Sequence, residues 1–585
     1  MTATLEAAPL TVPETRRRRG AALIVPAIYV VASVVLYAGL WADPAGHYLA
    51  DSGQDQHQWE WFFAVTAKAV TELDNPLFTA LQNYPLGVNL MANTTMLAVS
   101  APLTPVTLLF GPEVTWVLVL NASLAANAVA WYWLLHRRLG RSRLAAGVGG
   151  AFCAFAPPVI THAHAHPNFT ALFVLPFIVA QLIRLWNGDR PVRSGVVLGL
   201  LTAYQIFVGE EVLLLFATGA VIFAIAYAAS RPRDARAAIR PLGAGLGVGA
   251  AVALVLVGFP LYWQFFGPQS YSGLLHGNAG NDLAALTSFA ARSLAGSREA
   301  AGMLASPTEQ NSFFGWPLAV FVVAASAALW RVAAARALSV LILVATLLSL
   351  GSYLVVNGRE TAIPGPWLLF SGLPLYESVL ESRLTMICVP AIGILLALVI
   401  DRMRLHVGLP YWQRTPRLLW TGALLAVLLP LAPTPFTVTE RDATPEFFTQ
   451  GMWREYVPEG GTLVTVPVPD AGDATALHWQ VRSGLGFAVP EGYFIGPAGP
   501  KRDGVYGAVA RPTTMLLREA RDTGQVPDIA DAEQRQACAD LRYWGADAVV
   551  LGPHPREIAL RSTVERLLGP GEWTGGVWVW TVECR

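Results

Sequence analysis

Runs of apolar residues, most of them long enough to cross a bilayer, recur from residue 21 to about residue 431, and they leave few folds open. They are Ala21–Trp41, Val114–Leu135, Leu144–Thr161, Phe169–Trp186, Gly195–Val208, Val212–Ala229, Leu242–Phe265, Phe313–Trp330, Ala337–Val356, Leu384–Ile400 and Leu418–Leu431. In helical conformation about 20 residues cover the ~30 Å of hydrocarbon. A chain in lipid must also satisfy its own backbone polar groups, which helices do. Hydrophobic residues make up 54% of the chain and charged ones only 14%, well below the ~25% of soluble domains. The reading is an α-helical polytopic membrane protein with about 11 transmembrane helices.

Charge sets the expected orientation. Arg16–Arg19 precede the first run, and no small-residue cleavage site follows it, so residues 1–20 read as a cytoplasmic basic N-terminus before a retained helix. The basic loops His136–Arg143, Arg184–Ser194, Ser230–Arg240, Arg331–Arg336 and Asp401–Arg417 then all fall inside. This alternation requires that Leu97–Phe110, with Pro102 and Pro105, be re-entrant or interfacial rather than spanning. The outward face receives a large first loop (42–113), Thr161–Phe169, Val208–Glu211, Gln264–Ser312 and Asn357–Arg383. Residues 21–433 form the transmembrane domain on this reading. Beyond it, 434–585 lose the long apolar runs and read as a soluble extracytoplasmic α/β domain, with strands in GTLVTVPVP, ADAVVLGP and GVWVWTVE and three amphipathic helices between them.

Lys plus Arg and Asp plus Glu both number 40, so no basic surplus supports a nucleic-acid partner. No P-loop is present either, which argues against an ATP-driven machine. Cys153 and Cys388 lie inside spans as small apolar fillers. Cys538 and Cys584 both fall in the outer domain, where an oxidising compartment favours a disulfide over two separate thiols.

Polar chemistry gathers in the outer loops. In DSGQDQHQWEWFF (51–63), Asp51, Asp55 and Trp59 share a face if the stretch is helical, with His57 and Glu60 beside them. Paired carboxylates near an apolar wall suit proton abstraction, and an aromatic offers a surface for a sugar ring. The alternative is a hydrated interfacial helix with tryptophan at headgroup level. The Asp74–Thr95 segment, including Asn93, carries amides suited to hydroxyl recognition. His162, His164 and His166 alternate in THAHAHPNF; on a strand they would share a face and could ligate a divalent metal, whereas at a helix end such histidines more often make polar contacts. Glu210 and Glu211 in VGEE stand near membrane depth, where carboxylates are costly and functional by default. Arg383, close to Glu377 and Glu381, is a phosphate contact or a partner of Glu381. Arg292 and Arg298 are alternative phosphate contacts.

Together the stretches DQHQWEWFF, NPLFTALQNYPLGVNLMANTT, QIFVGEEVL, PLYWQFFGPQSYSG and ALHWQVRSGLGF make the chain resemble the GT-C superfamily of integral membrane glycosyltransferases, and within it actinobacterial multi-spanning membrane proteins. The resemblance implies a polyprenyl-phosphate sugar as donor. It also implies hexosyl or pentosyl transfer on the extracytoplasmic face to a glycan, lipid or protein acceptor. It makes a first-loop carboxylate the general base, matching Asp55 or Asp51. The acidic pair is split here as D-S-G-Q-D, which leaves Glu60 and Glu210 as alternatives. The remaining candidates for substrate binding are His57, Trp59, Asn93, His164, His166, Glu211 and Arg383. The competing class is non-catalytic: a GT-C-like glycan-binding protein, or a transporter of lipid or polysaccharide. A transporter would show repeat symmetry and polar residues at mid-membrane, and neither is visible. The geometry that separates the classes is whether Asp51 or Asp55 shares one cleft with Glu210 and Arg383.

Overall fold

The computed structural model describes residues 17–274, 276–405 and 414–584. The N-terminus through residue 16 and positions 406–413 of the Asp401–Arg417 loop lie outside the described residues. Each apolar run is helical over most of its length, the helices being Arg17–Leu36, Pro112–Trp133, Arg143–Phe155, Leu175–Trp186, Pro191–Ile206, Glu210–Ser230, Pro232–Phe266, Gly315–Leu329, Ala333–Leu348, Cys388–Leu405 and Arg414–Leu428. Among the described residues, five segments are long and apolar enough to cross a membrane: Pro112–Arg138, Arg143–His162, Glu210–Ser230, Pro232–Phe266 and Glu381–Met403. The other runs form shorter helices.

Several boundaries differ from the sequence reading for local reasons. The Phe169–Trp186 run enters its helix only at Leu175, because Pro167 starts a separate turn, Pro167–Thr170. Ala337–Val356 ends as helix at Leu348; Gly351, at φ +84, turns the chain, and Tyr353–Val356 becomes a strand paired with Arg359–Pro364. The basic segment Ser230–Arg240 is not a loop. From Pro232, a residue suited to the first helical turn, it opens a helix of 35 residues. Leu97–Phe110 forms two short helices, Leu97–Ser100 and Thr104–Phe110, the second ending on the exposed side chains of Leu108, Leu109 and Phe110.

Packing separates two kinds of helix. Trp116, Val117, Leu120 and Leu124 of one central helix and Leu395, Leu396 and Ala397 of another are buried. By contrast Val221, Ile225, Leu254, Val255 and Phe259 are exposed along Glu210–Ser230 and Pro232–Phe266, an apolar surface that suits hydrocarbon and not water. The helices Pro191–Ile206 and Pro232–Phe266 touch backbone to backbone. A Cβ on Gly195 would stand 2.5 Å from the Gly245 carbonyl oxygen, and one on Gly199 2.5 Å from that of Gly249. Small residues at this four-residue spacing are what close helix contact in lipid requires.

The C-terminal unit is α/β. Its four-stranded sheet runs Glu572–Thr574, Val577–Thr581, Ala546–Leu551, Thr462–Val466, with the last pair parallel. Helices Pro512–Thr523, Asp531–Tyr543 and Glu557–Leu568 cover it, burying Leu517, Leu541 and Leu560 against Val464, Val549 and Leu551. Cys538 and Cys584 form a disulfide, and Cys153 and Cys388 are free and buried. The unit is docked on the first loop by backbone pairing. His47–Leu49 pairs with Val438–Glu440, the Asn83 and Tyr84 amides donate to the Glu491 and Val489 carbonyls, and the Val489 amide donates to Leu81.

Candidate active site

The Gln54–Glu72 helix fixes the carboxylates of the first loop in different places. Gly53 at its N-cap has φ +54 and Asp51 before it φ +67, so Asp51 lies outside the helix and does not share a face with Asp55 and Trp59. Asp51 instead receives hydrogen-bond or ion-pair contacts from Arg292 and Arg298, at 3.1 and 3.2 Å. Those two cations are therefore engaged by a carboxylate, as Arg383 is. Asp55 sits in the first helical turn, where the helix dipole favours negative charge. Its Oδ2 is 3.6 Å from His166 Nε2, and its Oδ1 accepts a 2.6 Å hydrogen bond from the Tyr493 hydroxyl.

From His166 the cluster extends across three more segments. Its Nδ1 is 3.9 Å from Glu309 Oε1, and the Nδ1 atoms of His162 and His166 are 2.9 Å apart. The Arg383 guanidinium donates to both oxygens of Glu309 and, 2.9 Å away, to Glu211, and stacks on the Phe169 ring. Arg383 thus pairs with Glu309 and Glu211 rather than with Glu381, whose carboxylate accepts the Ala279 amide. Asp55, His166, Glu309, Arg383 and Glu211 retain 12% to 26% side-chain exposure, so the cluster is partly reached by solvent. Burial holds the His166 imidazolium back, lowering its pKa to about 4 despite Asp55 nearby. Burial alone would raise Glu309, but Arg383 and the two histidines hold it down, at about 2. Burial and then the charge of Asp55 push the Tyr493 hydroxyl up. Glu210 stands beside Glu211 in the same first turn, and after burial its charge is the largest influence raising the Tyr271 hydroxyl.

Other sequence candidates have different work. Trp59 is buried against Phe62 and Phe63, so it presents no sugar platform. His57 is buried beside Tyr48 and His478. Glu60 is held by Arg441 and Gln56 in a buried contact with the C-terminal unit. Asn93 exchanges two hydrogen bonds with the Ile495 backbone, at 2.6 and 3.0 Å, and joins the units rather than facing a ligand. Glu377 packs against Gly273.

The histidine triplet is not a strand. It begins on the last residue of a short helix, Pro157–His162, and continues in the turn after it, so residues four apart meet and His164 turns away toward Phe436. The three histidines thus do not converge as the strand alternative requires; instead the ligand atoms of His162, His166 and Glu309 all lie within 4.8 Å of one another. Two imidazoles and a carboxylate suit a zinc-like ion. Glu60, Glu113 and His478 also converge, but there Arg441 Nη1 reaches Glu60 at 2.8 Å and His478 at 3.0 Å and supplies the cation. Glu309, Tyr493 and Arg441 escaped the sequence reading. Glu309 lies in the long 264–312 loop and Tyr493 reaches Asp55 across 438 residues, so neither carries a local mark.

No protein-family model matches the chain, and no curated protein sequence does. Among solved structures, the arabinofuranosyltransferase AftD from Mycobacteria is similar over 98% of this chain and 40% of its own, with 16% identity and a TM-score of 0.56. The archaeal oligosaccharyltransferase AglB from Archaeoglobus fulgidus, in complex with an inhibitory peptide and a dolichol-phosphate, is similar over 97% of this chain and 75% of its own, with 10% identity and a TM-score of 0.51. The chain spans 40% of the length of the mycobacterial protein. The likeness to these two structures is one of fold.

Proposed function

We propose that this chain, folded as GT-C glycosyltransferases are, moves a hexosyl or pentosyl group from a polyprenyl-phosphate donor to a glycan, glycolipid or protein acceptor of the cell envelope. The observation that carries the reading is the convergence of Asp55, His166, Glu309, Arg383 and Glu211 from separate segments onto one cleft. Asp51 stands apart on two arginines, which favours Asp55 as the base. In the proposed topology residues 1–20 face the cytoplasm, 21–433 lie in the membrane, and 434–585 stand outside with the first loop, 42–113.

In the proposed reaction Asp55 accepts the proton of an acceptor hydroxyl as that oxygen attacks the anomeric carbon. The bond from that carbon to the phosphate oxygen breaks, and the polyprenyl phosphate leaves with the electron pair. Such a base contributes about 10²–10⁴-fold. In this reading Arg383 binds the leaving phosphate, which would exchange for Glu211, the more exposed of its two partners.

A divalent cation is the second component of this reading. Asp55, Glu211 and Glu309 together outweigh Arg383 in charge, so an anionic donor needs a further cation in the cleft. His162, His166 and Glu309 would hold it, and when bound it would supply charge stabilisation for the leaving phosphate.

Profiling of lipid-linked sugars tests the function. A deletion strain is expected to accumulate one polyprenyl-phosphate sugar, cleared by the wild-type gene and by Asp51→Asn but not by Asp55→Asn. Clearance by Asp55→Asn at the wild-type rate removes Asp55 as the base. An unchanged lipid-linked pool in the deletion strain removes the transferase reading in favour of a glycan-binding or transport role.

A further inference from the structure

Tyr493 belongs to the C-terminal unit, yet one face of the Asp55 helix grips it twice. Its hydroxyl donates to Asp55 Oδ1 at 2.6 Å, and its carbonyl accepts from Gln58 Nε2 at 2.9 Å. Positions three apart on a helix are neighbours, so the two contacts define both the reach and the tilt of the tyrosine.

The loop behind Tyr493 is held by more ties than a solvent loop needs. Glu491 has φ +54 and Gly492 φ +138, conformations that disfavour a non-glycine residue and persist where surroundings over-determine them. Here they do. The Glu491 side chain is 3% exposed and accepts from Thr514 Oγ1 at 2.6 Å and from the Arg511 amide at 3.3 Å. Its carbonyl accepts from the Asn83 amide at 2.7 Å, and the Gly492 amide donates to Pro469 at 3.1 Å. Gly492 leaves no room for a side chain, since a Cβ there would stand 2.2 Å from Gln82 Oε1. Backbone strain and a buried anchored carboxylate both serve to bring one phenol to one carboxylate.

We propose that Tyr493 is a positioning residue for the Asp55 carboxylate: its hydroxyl fixes Oδ1 and the plane of the group, leaving Oδ2, on the His166 side, to receive the acceptor's proton. The assignment rests on Asp55 being the base. Tyr493 keeps its own proton throughout, because burial and the adjacent negative charge oppose its ionisation. It moves no proton and acts only through Asp55. The C-terminal unit is on this account part of the catalytic apparatus, and the Glu491–Tyr493 loop is the strut that transmits its position.

The test uses the donor lipid extracted from the deletion strain and the full-length protein in detergent. Tyr493→Phe keeps the ring and removes the hydroxyl. Its kcat is expected to fall about 10–100-fold, as for a misplaced reacting group, while KM for the donor lipid stays within about twofold, the pattern of an interaction made in the transition state alone. Wild-type kcat in Tyr493→Phe alongside a slow Asp55→Asn overturns the proposal and leaves the base intact. Wild-type kcat in Asp55→Asn overturns the base, and this assignment with it. Should Tyr493→Phe melt early, Thr514→Val decides, since it loosens the loop from the far side of Glu491: a lower kcat at unchanged KM supports the strut, and wild-type kcat overturns it.

Discussion

The Arg441 guanidinium holds the Glu60 carboxylate with two hydrogen bonds, of 2.8 and 2.7 Å, across 381 residues of sequence. Both side chains are almost wholly buried, at 3% and 2% exposure, and the Tyr48 ring lies under the guanidinium. Removing one partner strands the other charge away from water, at a cost of about 3–5 kcal/mol. Arg441→Met is therefore expected to lower the melting temperature and expose the C-terminal unit to protease. The double variant Glu60→Gln, Arg441→Met recovers much of the loss, because no buried charge is left unpaired. Thermal melting with limited proteolysis reads both.

Close contact of the Pro191–Ile206 and Pro232–Phe266 helices makes a second prediction. Gly199→Leu pushes a side chain into the Gly249 backbone and separates the pair, so melting is expected to fall sharply. Gly247→Ala, on the same helix as Gly249 but with nothing within 4 Å of the added carbon, leaves melting unchanged or raises it, since alanine is the better helix former by about 1 kcal/mol. Equal losses in the two variants would refute the contact.

Acid should weaken the fold through His57. Burial first, and then the charge of Arg441, lower its pKa from 6.5 to about 3. The unfolded chain binds this proton at the higher pH, so the neutral histidine's contribution is full above about pH 6.5 and is lost as pH falls toward 3. His478, held well below its usual value by burial and Arg441, adds with the same sign. Melting measured between pH 7.5 and 4 is expected to be flat at the upper end and to decline below about 6.5. The decline is shallower in His57→Phe.

Arg383 joins Glu211 and Glu309, which would otherwise face each other without a cation. Arg383→Met is expected to lose both transfer and stability. Adding Glu309→Gln should restore stability, because one repelling charge is gone, and leave transfer lost. If the double variant transfers sugar at the wild-type rate, Arg383 has no part in binding phosphate.

The sequence made the helices and strands readable because they depend on composition and period within a few turns. GTLVTVPVP and GVWVWTVE are strands for the same reason that Glu210–Ser230 is a helix. The cleft was partly readable: Asp55, Glu211 and Arg383 stand out as charges in apolar surroundings. Asp51 was indistinguishable from Asp55 until the positive φ at Asp51 and Gly53 placed the helix start between them. Trp59 and Glu60 show the opposite failure, since an aromatic or a carboxylate looks alike in a cleft and in a core. The histidine triplet stands at a helix end and makes polar contacts, the commoner of its two readings, because alternation means one face only on a strand. Glu309 and Tyr493 reach the site through contacts between distant segments, which local pattern does not encode.

The pairing of His47–Leu49 with Val438–Glu440 bears on the order of events during synthesis. The first loop leaves the ribosome with its carboxylate already on the chain, but the strand that anchors it and the tyrosine that touches it are made several hundred residues later. A nascent or truncated polypeptide lacking the final third carries Asp55 without Tyr493, Glu60 without Arg441 and His47–Leu49 without a partner strand. Assembly of the cluster around Asp55 is thereby tied to synthesis of the C-terminal unit at least as far as Tyr493.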